Sequence, residues 1–431
     1  MLIQFNFENF KSFRDEASLD LTATKITEHE GHIVDIANDK LLRVAAIYGA
    51  NASGKSNVYG AFQYMTYYVL ESFKFGDEDE KRRKKEDDYQ KVIPFLFDEN
   101  SRDKESTFEV FYVDNSEDTG KTYQYGFSLK GNEVVEEWLY SKAKTARNTY
   151  RTVFYRKAGE ELEMNGFGKN HVENIKSALN KESLIVSLGA KLRIAKLKKV
   201  RDWFLGNEVV DFGDPAENFF RSRMLPEGFV RNKDVQNNVV EYFSSFDEGI
   251  QDFSVEEIQQ EDGKESEKSY KIDTFHKIAD SDKTVSIPLK QESNGTLKMF
   301  ALYPSLKEVL EHGAVLFVDE LNARLHPLLV RNIILTFLSP EINTKNAQLI
   351  FTTHDIWQFS NELLRRDEIW MVDKKQDGAS SLYSLVEFKD GEGNKVRRDE
   401  AIAKKYMTGS FGAIPALKPM KMLQGGMGDG K

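Results

Sequence analysis

Eight consecutive residues, Gly49-Ala50-Asn51-Ala52-Ser53-Gly54-Lys55-Ser56, satisfy the spacing G-x-x-x-x-G-K-S/T. That spacing suits phosphate chemistry. Glycines at both ends let the backbone turn tightly, so several N–H groups face one anion. Lys55 is placed to reach the β- and γ-phosphates of ATP, and the Ser56 hydroxyl to hold Mg²⁺. Asn57 follows at once. Far downstream, Asp319 and Glu320 close the apolar run Ala314-Val315-Leu316-Phe317-Val318. Adjacent carboxylates can divide the work of hydrolysis: Asp319 for the metal shell, Glu320 to polarise or deprotonate water. His354 ends the run Gln348-Leu349-Ile350-Phe351-Thr352-Thr353, where it would sense the γ-phosphate and orient that water. Glu292-Ser293-Asn294-Gly295-Thr296 opens a helical stretch. Such a start serves as an anion site or as a plain N-cap.

These residues need elements to hold them. Val44–Tyr48 reads as a buried strand, and Asn57 to Val69 as a helix with Val58, Ala61, Phe62, Met65 and Val69 on one face. Further buried strands are expected at Val315–Asp319, Leu349–Thr353 and Ile369–Asp373, with a helix over Leu297–Leu310. Two strands open the chain, Leu2–Phe7 and Ala17–Leu21, joined through Glu8-Asn9-Phe10-Lys11-Ser12-Phe13-Arg14. Phe108–Val113, Tyr123–Leu129 and Val134–Tyr140 alternate apolar and polar, as in an antiparallel meander. Residues 170–249 are polar and helical, with Ile194, Leu197, Val200, Trp203 and Phe204 at helix spacing. The reading is an α/β P-loop NTPase fold assembled from both ends of the chain, with an antiparallel β region and an inserted helical arm.

Composition bounds the rest. With 70 acidic and 60 basic residues the chain of 431 carries a net charge of −10, so nothing points to constant nucleic-acid coating. The local run Lys81-Arg82-Arg83-Lys84-Lys85 reads as a solvated loop or as a docking patch. The absence of cysteine excludes disulfides, thiolate zinc sites and a cysteine nucleophile. No apolar run is long enough to span a bilayer, and the first residues alternate like a strand rather than a signal peptide. A cytoplasmic protein without a membrane partner is expected.

In their order, the phosphate loop, long insertion, Ser-x-Gly helix start, hydrophobic-Asp-Glu and strand-His resemble the ABC-type ATPase head of the SMC/RecF-like branch. The opening Glu8-Asn9-Phe10-Lys11-Ser12-Phe13, Asn57 directly after Ser56, and the wide gap before Ser293 add to the resemblance. It implies that Ser293, Asn294 and Gly295 form a signature acting in trans on ATP held by a second head. Leu321–Pro327 then matches the D-loop that crosses the interface, with His326 structural or interfacial. The loop around Lys11–Arg14 becomes the region for adenine, and Gln63 and Gln90 the nearest candidates for the Q-loop glutamine. Glu292-Ser-Asn-Gly-Thr296 departs from the usual Leu-Ser-Gly-Gly-Gln, and Asn322-Ala323-Arg324 is an unusual D-loop core. The implied division is an N-terminal lobe (1–160), an inserted mainly helical arm (161–285), a C-terminal lobe with signature, Walker B and His switch (286–420), and a flexible tail (421–431).

A narrower resemblance rests on Glu292–Thr296, Leu325-His326-Pro327, Thr352-Thr353-His354-Asp355 and Tyr406-Met-Thr-Gly-Ser-Phe-Gly-Ala-Ile-Pro415. These look like the stand-alone ATPases of bacterial anti-phage and abortive-infection systems, of the RloA/AbiL type and the PARIS ATPase subunit. It implies an ATP-hydrolysing switch or sensor, a homodimer or larger homo-oligomer through ATP-sandwiched heads, and a separate effector nuclease or toxin. DNA is a possible partner. Two alternatives stand beside it: a RecF-like DNA-repair ATPase, and a weakly hydrolysing ATP-bound scaffold that holds an effector.

Overall fold

Val44–Gly49 is buried along its whole length, and its side chains leave alternately to two faces. Ala45 and Ile47 join one core with Phe317 and Ile350. Val44, Ala46 and Tyr48 join another with Leu316, Val318, Leu349 and Phe351. A strand covered on both faces belongs inside a parallel sheet, which is why it reads as an unbroken apolar run. In the computed structural model that sheet has six strands, ordered Glu208–Asp211, Val315–Asp319, Gln348–Thr352, Val44–Gly49, Ile369–Lys374, Ser380–Ser384. The first five run parallel and the last is antiparallel. The register sets Asp211 opposite Asp319, Val318 opposite Phe351 and Thr352 opposite Ile47, so the carboxyl ends share one edge. That edge is where open α/β sheets meet their ligands.

The structure describes residues 1–76, 91–114, 120–145, 149–221, 224–246, 249–258, 269–397 and 401–414. The basic run Lys81–Lys85, Gln90 and the tail 421–431 lie outside them. No helix among the described residues is long and apolar enough to cross a membrane.

The helix Lys55–Glu71 lies between the central sheet and a second, seven-stranded antiparallel sheet. Its Phe62 meets Phe317 of the first sheet at 5.7 Å and Phe5 of the second at 5.3 Å. The second sheet is ordered Glu163–Met164, Arg151–Lys157, Glu133–Lys142, Lys121–Lys130, Ser106–Asp114, Leu2–Glu8, Ala17–Asp20. It contains the expected meander, extended at both ends. Gln348 staples the first strand of the chain to the central sheet. Its amide donates to the carbonyls of Leu2 (3.0 Å) and Leu42 (2.9 Å), and its Oε1 accepts from Leu2 N–H at 2.6 Å. On the opposite face, helices Lys233–Ser244, Asn294–His312 and Pro327–Leu338 complete the second core.

The polar middle of the chain is woven into this frame. Helices Ile185–Lys191 and Ala195–Leu205 bury Ile185, Val186, Leu197, Val200 and Phe204 in the same core as Lys55–Glu71. Glu137 of the second sheet takes the N–H groups of Ile185 (2.7 Å) and Val186 (3.2 Å). Glu208–Asp211, inside the stretch read as helical, is instead the edge strand beside Val315–Asp319. A separate three-stranded antiparallel sheet, Ile250–Ile258, Ser269–Lys277 and Thr284–Pro288, precedes the helix Asn294–His312.

Candidate active site

Gly49 to Ser56 leaves the sheet edge as a tight loop and enters the helix at Lys55. Ser53 N–H donates to Ala50 O at 3.1 Å and Asn57 N–H to Gly54 O at 2.9 Å. Ala52 sits at φ +63° and Gly54 at φ +113°. A Cβ at Gly54 would come within 2.6 Å of Ser380 Oγ and 2.7 Å of Ser12 Oγ. One at Gly49 would strike Val372 O at 2.5 Å. Gly49 is therefore required by contact, and Gly54 by contact and by its left-handed backbone. The loop is braced from outside. Ser380 Oγ donates to Ser53 O at 2.5 Å and bonds Ser12 Oγ at 2.8 Å, and Asn57 Nδ2 donates to Ser12 Oγ at 2.7 Å. Lys55 Nζ folds back to Gly49 O (2.8 Å) and Ala50 O (3.0 Å). Burial lowers the Lys55 pKa, against the pull of Asp319 and Glu320.

A cavity of about 550 Å³ opens over the loop, lined by Ser12, Asn51, Ala52, Gly54, Lys55, Ser56, Asn57, Glu320, His354 and Lys374. Asn51, Ala52 and Gly54 to Asn57 of the predicted loop thus share one cavity with Glu320 and His354, although about 265 residues separate the loop from Glu320 along the chain. Gly49, Ala50 and Ser53 do not line it. Asp319 lies just behind it, 3% exposed. Thr352 organises the two carboxylate residues. Its hydroxyl donates to Asp319 Oδ1 and accepts the N–H of Glu320 at 2.9 Å. Glu320 itself adopts φ +52°, a left-handed backbone uncommon for a residue with a Cβ. His354 Nε2 meets Asn322 Nδ2 at 3.2 Å, and Asn322 Oδ1 accepts from Thr353 Oγ1 at 2.8 Å. Asn322 therefore links the His354 and Glu320 segments.

Ser293, Asn294 and Gly295 do not join this cavity. Ser293 and Asn294 are exposed at the start of the helix Asn294–His312, and Ser293 Oγ caps Thr296 N–H at 3.1 Å. Glu292, just before them, is gripped by Thr274 Oγ1 and by His276 Nε2 at 2.6 Å. His326 caps the following helix, its Nδ1 accepting from Leu328 N–H at 3.2 Å. Gln63 is exposed on the Lys55–Glu71 helix, bonds Tyr59 OH at 3.3 Å and does not line the cavity. Of the Lys11–Arg14 loop, Ser12 lines it, while Arg14 pairs with Asp15 and Asp377.

Four neighbours carry no signal in the sequence. Lys374 lines the cavity from the end of its strand. Thr352 is the bridge just described. Asp211 stands opposite Asp319; burial and the Asp319 charge push its pKa up to about 6. Lys298 donates to Ala323 O, and burial lowers its pKa to about 7 against the attraction of Glu320.

The residues present suit a nucleotide with its magnesium ion. The buried Ser53 Oγ has no hydrogen-bond partner within the chain, the glycines leave room for close backbone approach, and the nearby donors Ser56 and Asp319 are the oxygen ligands that Mg²⁺ prefers.

A search of curated proteins found no match. Among solved structures, an Smc head bound to the C-winged helix domain of ScpA is 14% identical, with a TM-score of 0.42, covering 89% of this chain and 97% of that one. An Smc head domain with an extended coiled coil, bound to the C-terminal domain of ScpA derived from Pyrococcus furiosus, is also 14% identical. Its TM-score is 0.40, covering 89% of this chain and 96% of that one. Likeness at that level says nothing of function. Residues 44–356, well over half of the chain, match the family described as "AAA domain, putative AbiEii toxin, Type IV TA system". With its P-loop NTPase fold, the chain belongs to this AAA-domain family.

Proposed function

We propose that this chain is an ATP-hydrolysing switch whose active site is completed by a second copy. The observation that carries the proposal is the split among its motifs. The loop, Glu320 and His354 line one cavity, while Ser293 and Asn294 are exposed and Gly295 half-buried outside it. Nothing among the described residues demands glycine at 295. A Cβ there would stand 3.7 Å from Ser293 Oγ and 3.8 Å from Arg324 O, ordinary contact distances. A close approach from outside the chain would explain it.

In this reading the N–H groups of residues 50–56 bind the phosphates, and Lys55 leaves its carbonyl partners for the β- and γ-oxygens. Ser56 and Asp319 would hold Mg²⁺, which would supply charge neutralisation of the phosphates. Glu320 accepts a proton from the attacking water. His354, held by Asn322, orients that water. Ser293, Asn294 and Gly295 of one copy cover the nucleotide of the other, so ATP joins two heads and hydrolysis releases them.

We place this switch in anti-phage defence, beside a separate effector nuclease or toxin. What motivates that placement is the resemblance of Glu292–Thr296, Leu325–Pro327, Thr352–Asp355 and Tyr406–Pro415 to stand-alone anti-phage ATPases. The test is the solution mass of Glu320→Gln with and without Mg-ATP. A mass increase that vanishes when Ser293→Arg is added supports the trans arrangement. A monomer in both conditions refutes it. Phage protection retained by Lys55→Ala would remove the defence role of ATP.

A further inference from the structure

Lys298 is 8% exposed, on the first turns of the helix that Ser293 caps. A buried ammonium is costly unless it is paired. Its partners here are a carbonyl and a ring. Nζ donates to Ala323 O of the D-loop and lies 3.7 Å over the ring centroid of Phe212. Both belong to segments that hold the two carboxylate residues of the site. Ala323 N–H donates to Glu320 O at 2.8 Å, closing the turn that follows Glu320. Phe212 N–H donates to Asp319 O at 3.0 Å. Beyond Phe212, a Cβ added at Gly213 would stand 3.2 Å from Glu320 Oε2, so this turn also walls the Glu320 carboxylate. Methionine would fill the same space without an ammonium to desolvate, and lysine is present instead.

We propose that Lys298 is a positioning residue: it ties the signature helix to the turns on either side of Asp319-Glu320, so that contact at Ser293–Gly295 sets the orientation of Glu320 in the same head. The proposal rests on the ATPase reading above. It explains how a helix outside the cavity can govern a carboxylate inside it. When the signature is engaged by the other copy's nucleotide, the Asn294–His312 helix moves with it, and Lys298 carries Ala323 and Phe212 along.

The test uses the full chain as Lys298→Met and Lys298→Arg, with steady-state ATP turnover, labelled-ATP affinity and melting temperature. Lys298→Met is expected to lower kcat at least tenfold, about 1.4 kcal/mol of barrier. KM and nucleotide affinity stay within twofold and the melting temperature does not fall. Lys298→Arg, which keeps the donor and the charge, recovers kcat to within threefold of the wild type. Turnover by Lys298→Met within twofold of the wild type overturns the proposal. So does a joint change in melting temperature, KM and kcat, which marks plain packing. A wild-type chain whose turnover is insensitive to Glu320→Gln refutes the ATPase reading itself, an outcome separate from either result at Lys298.

Discussion

Thr352 offers the sharpest test of how the site is built. It is 0% exposed, and its hydroxyl is shared by the side chain of Asp319 and the backbone of Glu320. Thr352→Val keeps the shape and removes the hydroxyl. The bond to a carboxylate is worth about 1.5–3 kcal/mol, and leaving the Glu320 N–H without its partner costs about 1–3 kcal/mol. Since the two losses overlap, the expected destabilisation is about 2–5 kcal/mol. Thr352→Ser keeps both bonds and removes one methyl, at about 1 kcal/mol. Urea unfolding of both variants measures the difference. Steady-state hydrolysis measures its consequence at Glu320, where the valine variant should lose at least tenfold in kcat and the serine variant little. A valine variant within 0.5 kcal/mol of the serine one, or one with undiminished kcat, would refute the idea that this hydroxyl sets both carboxylate residues.

Three further outcomes follow from packing and charge. Gly54→Ala forces a Cβ against Ser380 and Ser12 at a φ of +113°. It should cost about 1–3 kcal/mol and weaken labelled-ATP binding at least tenfold; unchanged binding would contradict the contact argument. Glu137 is fully buried, and desolvation raises its pKa to about 7 from an ordinary 4.5. The stability it contributes is complete below pH 4.5 and is lost as pH rises through 7, so Glu137→Gln should flatten that fall in denaturation series between pH 5 and 8. Arg365 (0% exposed) pairs with Asp367 (3%) at 2.8 Å, and Asp367 also takes the N–H and hydroxyl of Thr24. Asp367→Ala leaves a buried guanidinium uncompensated and should cost about 3–5 kcal/mol by urea unfolding.

The parts legible in the sequence were those fixed by local pattern. Val315–Asp319 shows its strand because both faces are buried and every residue before Asp319 is apolar. The phosphate loop shows itself because its glycines, Lys55 and the following helix sit within a few residues of one another. Glu208–Asp211 is different. Four residues with a half-exposed pattern, among polar helices, become a strand only because Val315–Asp319 offers them a free edge. Lys298 looks like any helical lysine; its burial depends on Phe212 and Ala323, each reached only after folding. The Asn322–His354 contact and the Thr352 bridge likewise join segments about 30 residues apart, and no spacing rule reports them. The Q-loop glutamine had no local context, and Gln63 turns out to serve its own helix.

The central strand order also governs how the molecule can be made. Val44–Gly49 pairs on one side with Gln348–Thr352 and on the other with Ile369–Lys374. At roughly 5–20 residues per second, a ribosome needs about 15–60 s after finishing that strand to deliver its first partner. Throughout that interval the nascent chain holds a bare apolar segment with two open edges, the form most prone to pair with a neighbour's strand. The helix behind the loop and the seven-stranded sheet, complete by Met164, are made in the first part of that interval and can shield only one face. Expression yield should therefore depend on translation speed and on holding chaperones more than on the stability of the finished protein.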